Sequence, residues 1–140
     1  MEDDLNHFIS AQDIHYQSAL AEIKNGYKSG HWMWFVFPQI KGLGNSSTAE
    51  YYAIKSKEEA LEFLNHEVLG FRLIEITKAL LEIEHNNAYK IFGTPDDLKL
   101  KSSMTLFSLV DLNHENTFVK VLNKYFEGER CHFTVIKINN

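Results

Sequence analysis

Residues 31–37, His-Trp-Met-Trp-Phe-Val-Phe, are apolar on every side of a helix or a strand, so a chain that carries them has to bury them. Both tryptophans of the protein fall in this run, with two of its ten phenylalanines. Pro38 disfavours helical geometry at Phe37 and ends the element there. The block is either core alone or core that also walls a pocket. The second reading has a motive: indole N–H groups want partners, and the polar His31 and Gln39 flank the block.

The rest of the chain can surround such a segment. Its 140 residues are 44% hydrophobic and 13% aromatic, against 24% charged, which supplies one core and excludes general disorder. The net charge of −5, from 14 basic and 19 acidic residues, gives no electrostatic reason for a nucleic-acid partner or an anionic membrane. Neither is expected, and the oligomeric state is left open. The single cysteine, Cys131, makes no internal disulfide, which fits a reducing compartment. Residues 1–4 are acidic, unlike the start of a signal peptide, and no apolar run approaches the roughly 18 residues that span a bilayer. The expectation is a soluble, cytoplasmic protein.

Much Leu, Ala, Glu and Lys, with only two prolines at segment boundaries, favours helix. Residues 10–28 read as the first long helix, with Tyr16, Leu20, Ile23 and Tyr27 on one face and a separate short helix before it at 5–9. Ser46, Ser47 and Thr48 offer N-caps for a helix through Tyr51, Tyr52 and Ile54. Ser56 with Glu59 is a capping box opening 57–65. Another helix spans about 68–84. Thr94 as N-cap, Pro95 at the first helical position and Asp96-Asp97 behind it open a helix through Phe107. One more covers 116–125. Residues 132–138 have strand propensity but no partner strand, so helix and strand stay equally open. The fold expected is all-α: a compact, single-domain multi-helix array with short loops over 1–140.

Three segments invite a functional reading. The aromatic block is the first. The turn Gly42-Leu43-Gly44-Asn45-Ser46-Ser47 is the second; it is a tight turn with an N-cap, or a nest of N–H groups for an anion, without the P-loop ending. The third is the run from Lys99 to Thr105, where Ser102, Ser103 and Thr105 are mediocre helix formers in mid-helix. They either pack helices closely, bonding back to their own turn, or line a polar cavity beside Lys99 or Lys101. Asp96 and Asp97 are explained by helix-start chemistry. The seven histidines form no metal signature, neither His66-Glu67 nor His114-Glu115 is a zincin motif, and Cys131 has no activating context. No metal is expected and no cofactor is indicated.

The strings SGHWMWFVFPQ at 29–39, GLGNS at 42–46 and GTPDDLKLKSSMTLF at 93–107 resemble a bacterial family of unknown function, numbered 1810. Ala11-Gln12, Val68-Leu69-Gly70 and Tyr125-Phe126-Glu127-Gly128 extend the likeness from about Leu5 to the terminus. The resemblance implies a mainly helical single domain and carries no reaction or catalytic residues. Some members bear the label calpastatin. Calpastatins are disordered inhibitors, whereas this chain is aromatic-rich and patterned to fold, so the label is rejected.

The functional expectation is a pocket for a small anionic metabolite or a nucleotide. His31, Trp32, Trp34 and Gln39 form its aromatic, hydrogen-bonding wall. Asn45 and Ser46 offer the anion nest, and Lys99, Ser102, Ser103 and Thr105 the opposite wall. The alternative is a protein-interaction module that docks through the 31–39 segment.

Overall fold

The first helix shows how local signals and burial cooperate. In the computed structural model, which describes residues 5–113 and 116–139, α1 runs Asn6–Lys24. It buries Phe8, Gln12, Tyr16, Ala19, Leu20 and Ile23 as one stripe at three- and four-residue spacing. The short helix expected at 5–9 is its first turn, since nothing around Ser10 interrupts the backbone bonds. Gly26, at φ 81°, ends it. The N–H groups of Gly26 and Tyr27 donate to the carbonyls of Ile23 and Glu22, a Schellman closure. Tyr27 therefore lies past the cap and is exposed, not on the buried stripe.

The other helices are α2 (Met33–Val36), α3 (Ser47–Tyr51), α4 (Lys57–Asn65), α5 (Leu69–Leu81), α6 (Ala88–Phe92), α7 (Asp96–Val110), α8 (Thr117–Phe126) and α9 (His132–Ile138). Among the described residues there is no strand, only an isolated parallel bridge between Ile40 and Ile54. The fold is all-α. No helix among the described residues is long and apolar enough to cross a membrane. The acidic start at 1–4 and the His114-Glu115 pair lie outside the described residues.

Side-chain caps sit where the sequence offers them. Ser46, Ser56, Asn87 and Asn116 each accept the backbone N–H three residues on. Glu59 completes the Ser56 cap one residue early, accepting from the N–H of Lys55 rather than that of Ser56. The start of α7 also departs from expectation. Pro95, not Thr94, is the N-cap, and no side chain caps. The Gly93 carbonyl takes the N–H of Asp97, and the Asp97 carboxylate takes that of Leu98, so the helix begins one residue later. α6 was not legible as a separate element. Residues 132–138 are helical: the Cys131 N–H donates to Thr105 Oγ1 at 2.9 Å, and packing on α7 overrides strand propensity.

α7 is the centre. Leu100, every residue from Ser102 to Ser108, and Val110 are buried, and α4, α6, α8 and α9 pack around it. A line of aromatic rings ties the helices together: Phe8 to Phe63 at 5.1 Å, Phe63 to Phe107 at 5.5 Å and Phe107 to Phe118 at 5.7 Å. Each fully buried ring contributes about 1.5–3 kcal/mol.

α4 meets α5 at closest range over Gly70. A Cβ built there would stand 1.9 Å from the Leu64 carbonyl oxygen. Helix propensity alone says that Gly70→Ala stabilises by up to about 1 kcal/mol. The contact reverses the sign, and we expect a loss of at least about 2 kcal/mol in urea denaturation, with α4 displaced from α5. A stabilised variant would refute the close approach.

Candidate functional site

The two tryptophans separate in their environments. Trp32 is 1% exposed, and its indole N–H donates to a Glu22 carboxylate oxygen at 2.9 Å. The same oxygen accepts the backbone N–H groups of Ser29 and Gly30, at 2.8 and 2.9 Å. Lys28 lies 5.1 Å above the Trp32 ring and pairs with Asp96 at 2.8 Å. Burial alone would raise the Glu22 pKa. Donation from Gly30, Ser29 and Trp32 outweighs it and holds the carboxyl below its ordinary value. Trp32 thus belongs to a clamp between α1 and the segment before α2. It does not line the cavity beside Trp34, and His31 is exposed to solvent next to it.

Trp34 is half-buried and faces a concavity. Pro38 ends α2 and lets residues 39–41 run extended. Ile40 pairs with Ile54, as the Ile54 N–H donates to the Gln39 carbonyl and the Lys41 N–H to that of Ile54. This bridge closes a loop containing the glycine turn and α3. Gly42 takes φ 109°, and Gly44 lies so close to α3 that a Cβ would come within 2.5 Å of that of Ala49. Between α2, the turn and α3 lies a cavity of about 460 Å³, lined by Trp34, Gln39, Lys41, Asn45, Glu50 and Tyr52 among others. The Tyr52 ring packs on Phe35 at 5.2 Å; burial, with Tyr51 beside it, raises its hydroxyl pKa. Lys99 stands 5.1 Å over the Trp34 ring, 3.4 Å from Asp96.

The structure therefore brings Trp34, Gln39 and Asn45 to one cavity, with Lys99 against its aromatic wall. It does not bring the remaining predicted residues there. Ser46 spends its hydroxyl on the α3 cap. Ser102 donates to the Leu98 carbonyl, with Cys131 Sγ 3.3 Å from its oxygen, and Thr105 donates to the Lys101 carbonyl and accepts from the Cys131 N–H. Ser103 is fully buried. Ser102 and Thr105 face their own helix and α9, the Ser103 hydroxyl has no hydrogen-bond partner among the described residues, and none of the three lines the cavity beside Trp34. Asp96 is committed to Lys28 and Lys99 and makes no acid–base pair with Asp97. Lys41, Glu50 and Tyr52 were missed by sequence reasoning. Their only signal was proximity to the glycine turn.

Cys131 sits at the start of α9 with its sulfur 3.3 Å from the Ser102 hydroxyl. Burial pushes its thiol up, but the Ser102 hydroxyl and the N–H groups of Thr134 and Phe133 bring it below its ordinary value. Among the described residues no group of three His, Cys, Asp or Glu side chains is placed to hold a metal ion.

Comparison with known proteins places the chain in a wider set. A family model described as "Protein of unknown function (DUF1810)" matches residues 2–138. A search of curated proteins finds no match. A solved structure, that of the conserved hypothetical protein Rv1873 from Mycobacterium tuberculosis, is 45% identical, with a TM-score of 0.94, covering 98% of this chain and 97% of that one.

The Glu22 clamp makes a signed prediction. Glu22→Gln keeps the shape and weakens three hydrogen bonds, so at neutral pH it costs about 1–2 kcal/mol in urea denaturation, less where solvent screens the carboxylate. Because the folded carboxyl lies below its ordinary 4.5, its stabilisation is present above 4.5 and is lost as pH falls through the folded value. The gap between the two proteins should close as pH falls below 4.5. A gap that is constant with pH would show that the charge is not what holds the segment.

Proposed function

Because the chain belongs to the DUF1810 family, whose description names no activity, its function has to be read from its own geometry, and we propose that it binds a small, planar, anion-bearing metabolite in the cavity walled by Trp34, Gln39 and Asn45. One observation carries this reading. Trp34, Gln39 and Asn45 come from the end of the aromatic block and from the glycine turn, and they line the same concave space.

The lining suits recognition. The Trp34 indole and the Tyr52 phenol offer flat apolar faces, while the amides of Gln39 and Asn45 can both donate and accept hydrogen bonds. Lys41 in the lining supplies a cation for an anionic group, while Lys99, paired with Asp96, backs the Trp34 ring. Glu50 accepts from a donor at a ring edge. A nucleotide has all of these parts and is one such metabolite. The docking alternative has less to work with, because Trp32, Met33, Phe35, Val36 and Phe37 are at most 6% exposed. A cytoplasmic setting, where such metabolites are abundant, is part of the proposal.

A thermal-shift screen against a panel of nucleotides and anionic metabolites tests it. A ligand at ~100-fold its Kd adds about 2.7 kcal/mol of apparent stability, a shift of several degrees. Asn45→Ala and Trp34→Leu should remove the shift while leaving the helical content intact, and Ser102→Ala should leave it in place. A shift that survives both cavity variants would move the site elsewhere. The absence of any shift across the panel would overturn the reading.

A further inference from the structure

A second cavity, of about 350 Å³, shares the wall residue Ile40 with the first and differs from it in charge. Lys55, Lys57 and Lys137 line it, with Ser56, Glu58 and Ile138. The three ammonium groups come from two distant parts of the chain. Lys55 and Lys57 flank the Ser56 cap of α4, and Lys137 lies in the last turn of α9. All three are exposed, and none has an ion-pair partner among the described residues.

This grouping runs against the electrostatics of the chain. The protein has a net charge of −5, yet three lysines meet one glutamate at this cleft. Their mutual repulsion opposes the arrangement. Lys57 is also the first residue of α4, the end where the helix dipole disfavours a cation. The neighbouring Glu59 carboxylate is occupied by the N–H of Lys55 and is not among the lining residues. A bound anion would offset all of these terms at once.

We infer that this cleft binds a compact phosphate-class oxyanion, carrying two or more negative charges, either free or as the phosphate of a small ester. The site is distinct from the aromatic cavity, and its occupant is recognised by charge and hydrogen bonding rather than by stacking. Three lysines present nine N–H donors between them, enough to surround the oxygens of one phosphate group.

The test is an isothermal titration of the full chain at low salt with inorganic pyrophosphate and, separately, with glycerol phosphate, paired with amide chemical-shift mapping. Saturable one-to-one binding is expected, with shifts concentrated at residues 55–58 and 137–138. Tighter binding of pyrophosphate marks a free anion, and tighter binding of glycerol phosphate marks an ester. A Lys55→Gln/Lys137→Gln double variant should bind about tenfold or more weakly, and Lys120→Gln, an exposed lysine on α8, should not change the affinity. Trp34→Leu should leave this titration unchanged, which separates the site from the metabolite cavity. Unsaturated shifts spread over the whole surface, or an affinity indifferent to the double variant, would overturn the inference.

Discussion

The rest of the structure depends on the burial of α7. Four helices pack around it, so it has almost no face for water. A helix in that position cannot be amphipathic, and its polar groups have to find partners within the protein or go without, as the buried Ser103 hydroxyl does among the described residues. Ser102 and Thr105 meet this demand by bonding to the carbonyls of Leu98 and Lys101 in their own helix. Their remaining capacity goes to Cys131, at the start of α9. The hydroxyls are small enough to let α9 approach and polar enough to anchor its first residue. This explains a run of poor helix formers in mid-helix without assigning it to a ligand.

Around this centre the loops are fixed by a few charges rather than by regular structure. One carboxylate oxygen of Glu22 receives three N–H groups and sets the path of the chain into α2. Asp96, at the first position of α7, joins Lys28 on the Trp32 ring to Lys99 on the Trp34 ring. The two tryptophans are thus held from opposite ends of one ion-pair network, one wholly inside and one at the edge of a cavity. This partition gives the aromatic block both its roles, core for Trp32 and pocket wall for Trp34.

Both cavities border Ile40, in the bridge that joins residues 39–41 to 54. Such a bridge needs only two backbone hydrogen bonds, yet it closes the loop that carries the glycine turn and α3. Loops held on a packed helical scaffold are where binding groups collect, because the scaffold fixes them while leaving their side chains toward solvent. The cavities differ in what lines them: indole, phenol and amides with one lysine and one glutamate in the first, three lysines with one glutamate in the second.

The helical class, the approximate course of the longer helices and the caps at Ser46 and Ser56 were determined by the sequence itself, because capping and periodicity are local. The burial of Trp32, Met33, Phe35, Val36 and Phe37 followed from the segment having no polar face. Tertiary structure alone decided which tryptophan reaches a cavity, that residues 132–138 are helix, and that Ser102 and Thr105 of α7 meet Cys131 at the start of α9. Helical spacing defines a face but not the element that covers it. The partners concerned, Glu22 with Trp32, Thr105 with Cys131, and Lys137 with Lys55, are brought together only when the chain packs.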